Sequence, residues 1–146
     1  MKWIMLAALL CIPATAMAET SPEKCEGHLS PAFAQKFATG WIAAWNSHDL
    51  NRILELYSDD FEMRSPSIIA VAGEPSGVLK GKANVAAYWA KALKGTPDLK
   101  FDLIDVFACI QSVSVHYTRH GGREVIEVME FNAVCKVVRG SANWKV

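Results

Sequence analysis

The chain has 146 residues, which is the length of a single domain. Its 15 basic and 15 acidic side chains cancel to a formal net charge of zero, so nothing in the charge favours nucleic acid or an anionic membrane as a partner. Apolar residues make up 51% of the chain, which is enough to build a core of useful size.

Residues 1–18 have the pattern of a secretory signal peptide. Lys2 is their only charge, an apolar run spans Trp3–Ile12, and small residues at 16–18 suit a signal peptidase. The apolar run is too short to be a permanent membrane anchor. We therefore expect cleavage between Ala18 and Glu19 and a periplasmic or secreted location. The alternative is an unprocessed buried helix.

Three cysteines follow this segment: Cys25, Cys109 and Cys135. An oxidising compartment favours one disulfide and leaves one thiol over. Cys109 and Cys135 are both expected in turns at one end of the sheet, which slightly favours that pair, but Cys25 could reach either. All three pairings stay open, as does the possibility of three free thiols.

The helices are predicted in the first two thirds of the chain. Residues 19–29 lack periodicity and are expected to be a flexible lead-in. Ser30-Pro31 then provides a capping hydroxyl and a proline at the first helical position, and apolar residues recur from Phe33 to Trp45 at intervals of three and four. Asp49 is expected to cap a second, shorter helix. A third helix is predicted over residues 81–93.

A segment with proline and glycine lies between the second and third helices, at Ser67–Lys80. Its apolar stretch Ile68–Ala72 suggests a loop that folds back over something. This loop is expected to be a lid over a cavity, a dimer contact or a packed loop. The strand Phe61–Ser65, which Pro66 stops, comes before it.

Strands are predicted in the rest of the chain. Residues 100–108 form one, and Val113, Val115 and Tyr117 alternate with polar residues in a second. A hairpin turn at His120-Gly121-Gly122 leads into strands over 123–131 and 136–144. Helices followed by an antiparallel sheet define an α+β domain.

Several segments resemble nuclear transport factor 2-like domains, a group that includes SnoaL-like polyketide cyclases and ketosteroid isomerases. These are Trp41–Leu50, Leu56–Phe61, the helix from Gly81-Lys82 through Tyr88-Trp89, Ile126–Phe131 and Lys136–Arg139. The resemblance implies a single domain over residues 30–146, with three N-terminal helices packed on a curved antiparallel sheet. The resulting cone is expected to admit a ligand at its open end. The scaffold supports many activities, so the resemblance specifies the fold better than the function.

The resemblance implies three positions at which a ketosteroid isomerase would place catalytic groups. The base before the proline of the first strand falls on Ser65, and the tyrosine of the first helix falls on Trp41. The protonated aspartic acid falls on Glu127. A serine hydroxyl is too weak a base to remove a carbon-bound proton at neutral pH, so this comparison argues against steroid isomerisation.

Glu127 is the candidate catalytic residue. Alternation places it on the same strand face as Met129, which is expected to line the cone. Burial among apolar side chains raises the pKa of a carboxyl group, which can then act as an acid, a base or a neutral hydrogen-bond donor. The alternative is a structural carboxyl satisfied by Ser65, Tyr57 or Trp41.

Candidate ligand-binding residues come from all parts of the domain, and the alternative for the aromatic ones is a place in the core. They are Trp41, Trp45, Tyr57, Ser65, Tyr88, Trp89, Met129 and Trp144. A small, mostly apolar molecule is the expected partner, with no cofactor. Cys25 and His28 offer two metal ligands at most, whereas zinc needs three or four, so no metal site is expected.

Three functions compete at this point. The leading hypothesis is an exported binding protein for a small apolar molecule. The second is a cofactor-independent cyclase, isomerase or hydrolase that uses Glu127. The third is a non-catalytic module that forms a homodimer through the outer sheet face, with Ile126, Val128 and either Val113 or Val115 as an apolar patch.

Overall fold

The computed structural model describes residues 24–146. The predicted signal peptide and the first part of the predicted lead-in lie outside these residues. No helix of the described part is both long and apolar enough to cross a membrane. The elements in chain order are α1 (Pro31–Asn46), α2 (Leu50–Leu54), β1 (Tyr57–Arg64), α3 (Pro66–Ala72), β2 (Val78–Lys80), α4 (Lys82–Gly95), β3 (Phe101–Ala108), β4 (Ser112–Arg119), β5 (Glu124–Phe131) and β6 (Val137–Trp144).

Helices α1 and α2 begin at the caps that the sequence predicts. The Ser30 side chain accepts a hydrogen bond from the backbone N–H of Phe33, and Pro31 occupies the first helical turn. The Asp49 carboxylate accepts from the N–H groups of Asn51 and Arg52. These bonds satisfy backbone donors that a helix start otherwise leaves unpaired.

The segment Ser67–Lys80 was predicted to be a loop, and this is wrong. Ser65 caps α3 by accepting a hydrogen bond from the N–H of Ser67 at 3.2 Å, and Gly73 ends the helix at a φ of 72°. Ile68 is completely buried. Residues 24–146 therefore contain four helices instead of three, because Ser65-Pro66 starts a helix just as Ser30-Pro31 does.

The six strands form one sheet in the order β2-β1-β6-β5-β4-β3. All neighbours are antiparallel except β1 and β6, which run parallel, so the sheet is mixed and not wholly antiparallel. The register shifts between Leu103 and Asp105 in β3 and between Glu130 and Phe131 in β5. Such irregularities bend a strand and increase its twist.

The inner face of the sheet carries the apolar core. Val113 and Val115 are fully buried, and Val125 is 1% exposed. Helices α1 and α4 lie against this face. Val113 and Val115 therefore cannot belong to an outer apolar patch, whereas Ile126 on the outer face is 40% exposed.

A disulfide joins Cys25 to Cys135, and Cys109 is an exposed free thiol. The pairing that turn positions slightly favoured, Cys109 with Cys135, is therefore wrong. The backbone N–H of Cys25 also donates to the carbonyl of Ala133, and that of Leu29 to the carbonyl of Cys109. Residues 24–29 are consequently fixed to the sheet, which corrects the expectation of a flexible lead-in for this part.

Candidate functional site

A cavity of about 310 Å³ lies between the helices and the inner face of the sheet. Helix α1 contributes Trp41 and Trp45, and α4 contributes Tyr88 and Trp89 to its wall. The rest of the wall comes from further residues of α4, from α3 and its cap, from the loop between α4 and β3, and from strands of the sheet. Apolar and aromatic side chains predominate, as in most small-molecule sites.

Seven of the nine predicted site residues line this cavity. They are Trp41, Trp45, Ser65, Tyr88, Trp89, Glu127 and Trp144. Tyr57 and Met129 do not line it, because both are buried in the core beside it, with 2% and 0% of their surface exposed. Met129 lies two residues beyond Glu127 on the same strand face, where Val113 and Gly140 flank it in the sheet.

Glu127 lies at the centre of the sheet. On β5 it is flanked by Val115 of β4 and Ala142 of β6, and it is only 4% exposed. Burial raises the pKa of Glu127 from 4.5 to about 7, and a hydrogen bond from Tyr117 opposes part of that rise. A carboxyl group in this state can give or take a proton near neutral pH.

The partner of Glu127 is not one of those suggested by the sequence. The Tyr117 hydroxyl donates a hydrogen bond to its Oε2 atom at 3.3 Å. Burial, and then the negative charge of Glu127, raise the pKa of Tyr117 well above its ordinary value, while the positive charge of Arg119 lowers it. Tyr117 therefore stays protonated and remains a donor at neutral pH.

Trp41 and Tyr57 form a second buried polar pair. The indole N–H of Trp41 donates to the Tyr57 hydroxyl at 2.7 Å. Burial and the charge of Glu127 raise the pKa of Tyr57, so this phenol is neutral. The indole of Trp45 is close enough to lower that pKa, but its buried N–H has no hydrogen bond of acceptable geometry among the described residues.

The Tyr88 hydroxyl faces the start of α3. Burial raises the pKa of Tyr88, and contacts of its hydroxyl with Ser65 and Ser67 lower it in part. Ser65 is 7% exposed and also caps α3. Ser65 therefore acts as a structural hydroxyl in the cavity wall, and it has no neighbouring base to activate it among these contacts.

Sequence reasoning missed five polar residues of the wall: Ser67, Lys91, Thr96, Tyr117 and Arg119. Tyr117 and Arg119 share the inward face of β4 with Val115, which lies opposite Glu127. The alternation that placed Glu127 inward could have found both of them. Arg119 comes directly before the hairpin turn, a position that usually indicates solvent exposure.

The remaining titratable side chains lie elsewhere. His116 is on the outer sheet face, where its Nε2 atom is 3.2 Å from Glu124. Cys25 is unavailable as a metal ligand because it is in the disulfide. Across residues 24–146, no group of three or more His, Cys, Asp or Glu side chains could hold a metal ion.

Helices packed on one face of a bent sheet, around a cavity with a buried carboxyl group, define a cone-shaped α+β domain. The sequence matches the SnoaL-like domain over residues 38–140. The chain belongs to this family, which confirms the resemblance and the fold class that the sequence indicated.

Solved structures give the same result. A SnoaL-like protein of unknown function from Burkholderia thailandensis is 47% identical, with 82% of this chain and 99% of that chain covered and a TM-score of 0.78. An Agrobacterium tumefaciens protein described as a putative isomerase of the SnoaL-like family is 14% identical over 79% and 99% of the two chains, with a TM-score of 0.64.

A third structure is AclR, a putative hydroxylase from Streptomyces galilaeus. It is 20% identical, covers 80% of this chain and 77% of its own, and has a TM-score of 0.62. At identities this low, the second and third structures show the fold alone. None of the curated proteins matches this sequence.

Proposed function

We propose that this SnoaL-like domain binds one small, mostly apolar molecule in its cavity, with Glu127 as the polar anchor. The observation that carries the proposal is an aromatic cavity whose buried floor holds a carboxyl group, hydrogen-bonded to Tyr117 at 3.3 Å. A largely preformed apolar pocket with few convergent polar groups is the usual form of a small-molecule site.

The size and chemistry of the cavity limit the ligand. A volume of about 310 Å³ admits a compact molecule of one or two rings, at the lower end of the range for ligand pockets. The polar group of the ligand must accept or donate a hydrogen bond, because the Glu127 carboxyl group can do either near neutral pH. The aromatic walls favour a flat apolar body.

Native mass spectrometry of protein purified from its own host tests the proposal. Ala92 lines the cavity from α4, while Ala90 on the same helix is exposed. We expect the wild-type protein and Ala90→Phe to carry a bound small molecule, and Ala92→Phe to lose it because the new ring fills the cavity. A bound molecule that persists in Ala92→Phe contradicts the proposal.

The pKa of Glu127 favours acid–base catalysis as a second candidate function. Under this proposal Glu127 moves a proton on the bound molecule without a cofactor. Glu127→Gln is expected to keep most of the binding but lose conversion by about a hundredfold or more. Glu130→Gln is the control, because Glu130 pairs with Arg139 at the surface. A simple binding protein shows no conversion in any variant.

We also propose that the protein is exported and processed between Ala18 and Glu19. The disulfide between Cys25 and Cys135 supports this, because such bonds persist in oxidising compartments. Sequencing the N-terminus of the protein from its native host is expected to begin at Glu19. A native protein that begins at Met1 contradicts the proposal.

A further inference from the structure

Two cations in the cavity wall have no role in the function proposed so far. Arg119 ends β4 and is half-buried, and Lys91 lies on α4 and is exposed. Within residues 24–146 neither forms a salt bridge. The one hydrogen bond of Arg119 to a side chain runs from its Nη1 to Ser67 Oγ at 3.5 Å, the long limit for such a bond.

These cations are separated from the carboxyl group of the same cavity. Arg119 and Val115 share one face of β4, and Val115 lies opposite Glu127. Four residues of a strand span ~13 Å, so Glu127 and Arg119 sit at different depths of the cavity. Tyr117 lies between Val115 and Arg119 on this strand face. Tyr88 is near both charged groups, since Glu127 raises its pKa and Arg119 lowers it.

The acidic residues nearest to Lys91 and Arg119 in the sequence have other partners. Asp98 precedes β3 and lies 3.1 Å from Nε2 of His120. Glu124 at the start of β5 contacts His116 and Lys145. Neither acid lines the cavity, and Glu127 is the one acidic side chain among the described residues of its wall.

We propose that the ligand carries an anionic group, such as a carboxylate, which Arg119 binds together with Ser67 and Lys91 at the outer part of the cavity. The apolar body then lies against Trp41 and Phe101, and points toward Glu127. This inference rests on the proposed function and names the chemical class of its ligand. A half-buried guanidinium suits the role, because it is weakly hydrated and binds a carboxylate through two parallel hydrogen bonds.

The test uses two probes of equal shape, 2-naphthoate and its neutral amide, 2-naphthamide. Calorimetric titration at pH 6 keeps naphthoate ionised while Glu127, with a pKa of about 7, is mostly protonated. We expect naphthoate to bind about tenfold more tightly than naphthamide, as a charge-assisted hydrogen bond predicts. Arg119→Gln is expected to remove this difference, because it weakens the binding of naphthoate much more than that of naphthamide.

Arg139→Gln is the matched control, because Arg139 is also on a strand but pairs with Glu130 on the outer face. Arg139→Gln should change the affinity for neither naphthoate nor naphthamide. Arg119→Lys keeps the charge and should restore part of the preference for naphthoate, and Lys91→Gln should weaken it to a smaller extent. If Arg119→Gln does not fold, the wild-type preference and the effect of Lys91→Gln decide the matter.

The outcomes separate this inference from the proposed function. Equal binding of the two probes, or a preference that Arg119→Gln and Lys91→Gln leave intact, overturns the anionic ligand and leaves the apolar binding site in place. If neither probe binds, both proposals are overturned. If Arg119→Gln weakens both probes equally, Arg119 has a structural role and the inference is likewise overturned.

Discussion

The hydroxyl of Tyr117 and the carboxyl group of Glu127 meet on the inner face of the sheet, at 3.3 Å from phenolic oxygen to Oε2. They come from neighbouring antiparallel strands, β4 and β5. Both side chains are at most 4% exposed. The bond thus gives the carboxylate one donor inside the protein, while burial still keeps its pKa near neutrality.

Replacing Glu127 by Gln is expected to change how stability depends on pH. The carboxyl group ionises near 4.5 in the unfolded chain and near 7 in the folded protein, so the folded state holds the extra proton between these values. Its contribution to the free energy of unfolding therefore falls as the pH rises from 4.5 to 7, by roughly 3 kcal/mol in total. Urea unfolding at pH 5 and pH 8 measures this loss.

Glu127→Gln removes the ionisation. The stability of this variant relative to the wild-type protein should therefore be higher at pH 8 than at pH 5. Glu130→Gln serves as control, because Glu130 is at the surface and its replacement should leave the pH profile in place. An identical pH profile for wild type and Glu127→Gln contradicts the raised pKa.

Tyr117→Phe should raise the pKa of Glu127 above its wild-type value. Among residues 24–146, the hydrogen bond from Tyr117 is the one influence that lowers this pKa, so its loss leaves burial unopposed. The measurement is the carboxyl ¹³C chemical shift of Glu127 during a pH titration. Tyr57→Phe is a control, because Tyr57 donates no hydrogen bond to Glu127. A pKa that stays or falls in Tyr117→Phe is the contrary result.

Tyr57→Phe tests whether the buried pair with Trp41 is structural. The variant keeps the ring that packs against Phe61 and Trp89, at centroid distances of 4.5 and 4.8 Å, but it leaves the Trp41 N–H without an acceptor. We expect a loss of about 1–3 kcal/mol in the free energy of unfolding. Tyr88→Phe should lose less, because Tyr88 lines the cavity and is less completely buried than Tyr57. Equal losses contradict a special role for the buried pair.

The sequence predicts the fold better than the site because local signals determine most of the elements. Ser30-Pro31 and Asp49 start their helices where expected, and alternation turns Glu127 inward. The same type of signal at Ser65-Pro66 was interpreted only as the end of a strand, and not as the start of a helix. A helix of seven residues has too short a stripe to show periodicity, so α3 was missed.

The pairing of Tyr117 with Glu127, which sequence reasoning missed, depends on a contact between strands. Tyr117 reaches Glu127 only because the register of β4 and β5 places Val115 opposite Glu127. Register depends on turn geometry and bulges, which are difficult to predict from a single sequence. The disulfide is a similar case: Cys25 meets Cys135 across a sequence separation of 110 residues, and spacing alone leaves three pairings open.

The Cys25–Cys135 disulfide should be a major source of stability. It closes a loop with a sequence separation of 110 residues. The chain-entropy relation then gives about 5 kcal/mol lost in the Cys25→Ser, Cys135→Ser double variant. Urea unfolding measures this loss. Cys109→Ser is the control and should change stability by less than about 0.5 kcal/mol, because the thiol is exposed. A double variant as stable as the control contradicts the prediction.

Two glycines should respond in opposite directions to the same substitution. A Cβ atom on Gly140 would lie 3.1 Å from Cζ of Phe61 and 3.4 Å from Sδ of Met63. Phe61 is fully buried and cannot move aside freely, so Gly140→Ala is expected to cost about 1–3 kcal/mol. A Cβ atom on Gly40, inside α1, meets nothing within 4 Å.

Gly40→Ala should therefore stabilise the protein by up to about 1 kcal/mol, because alanine loses less backbone freedom in a helix than glycine does. Thermal or urea unfolding of both variants measures the two effects against one wild-type reference. A neutral Gly140→Ala would mean that β1 and β6 are less tightly packed against each other than the Phe61 contact requires. Gly140 lies between Met63 and Met129 in the sheet. A neutral result would therefore also imply looser packing of β6, the strand that places Ala142 and Trp144 in the cavity wall.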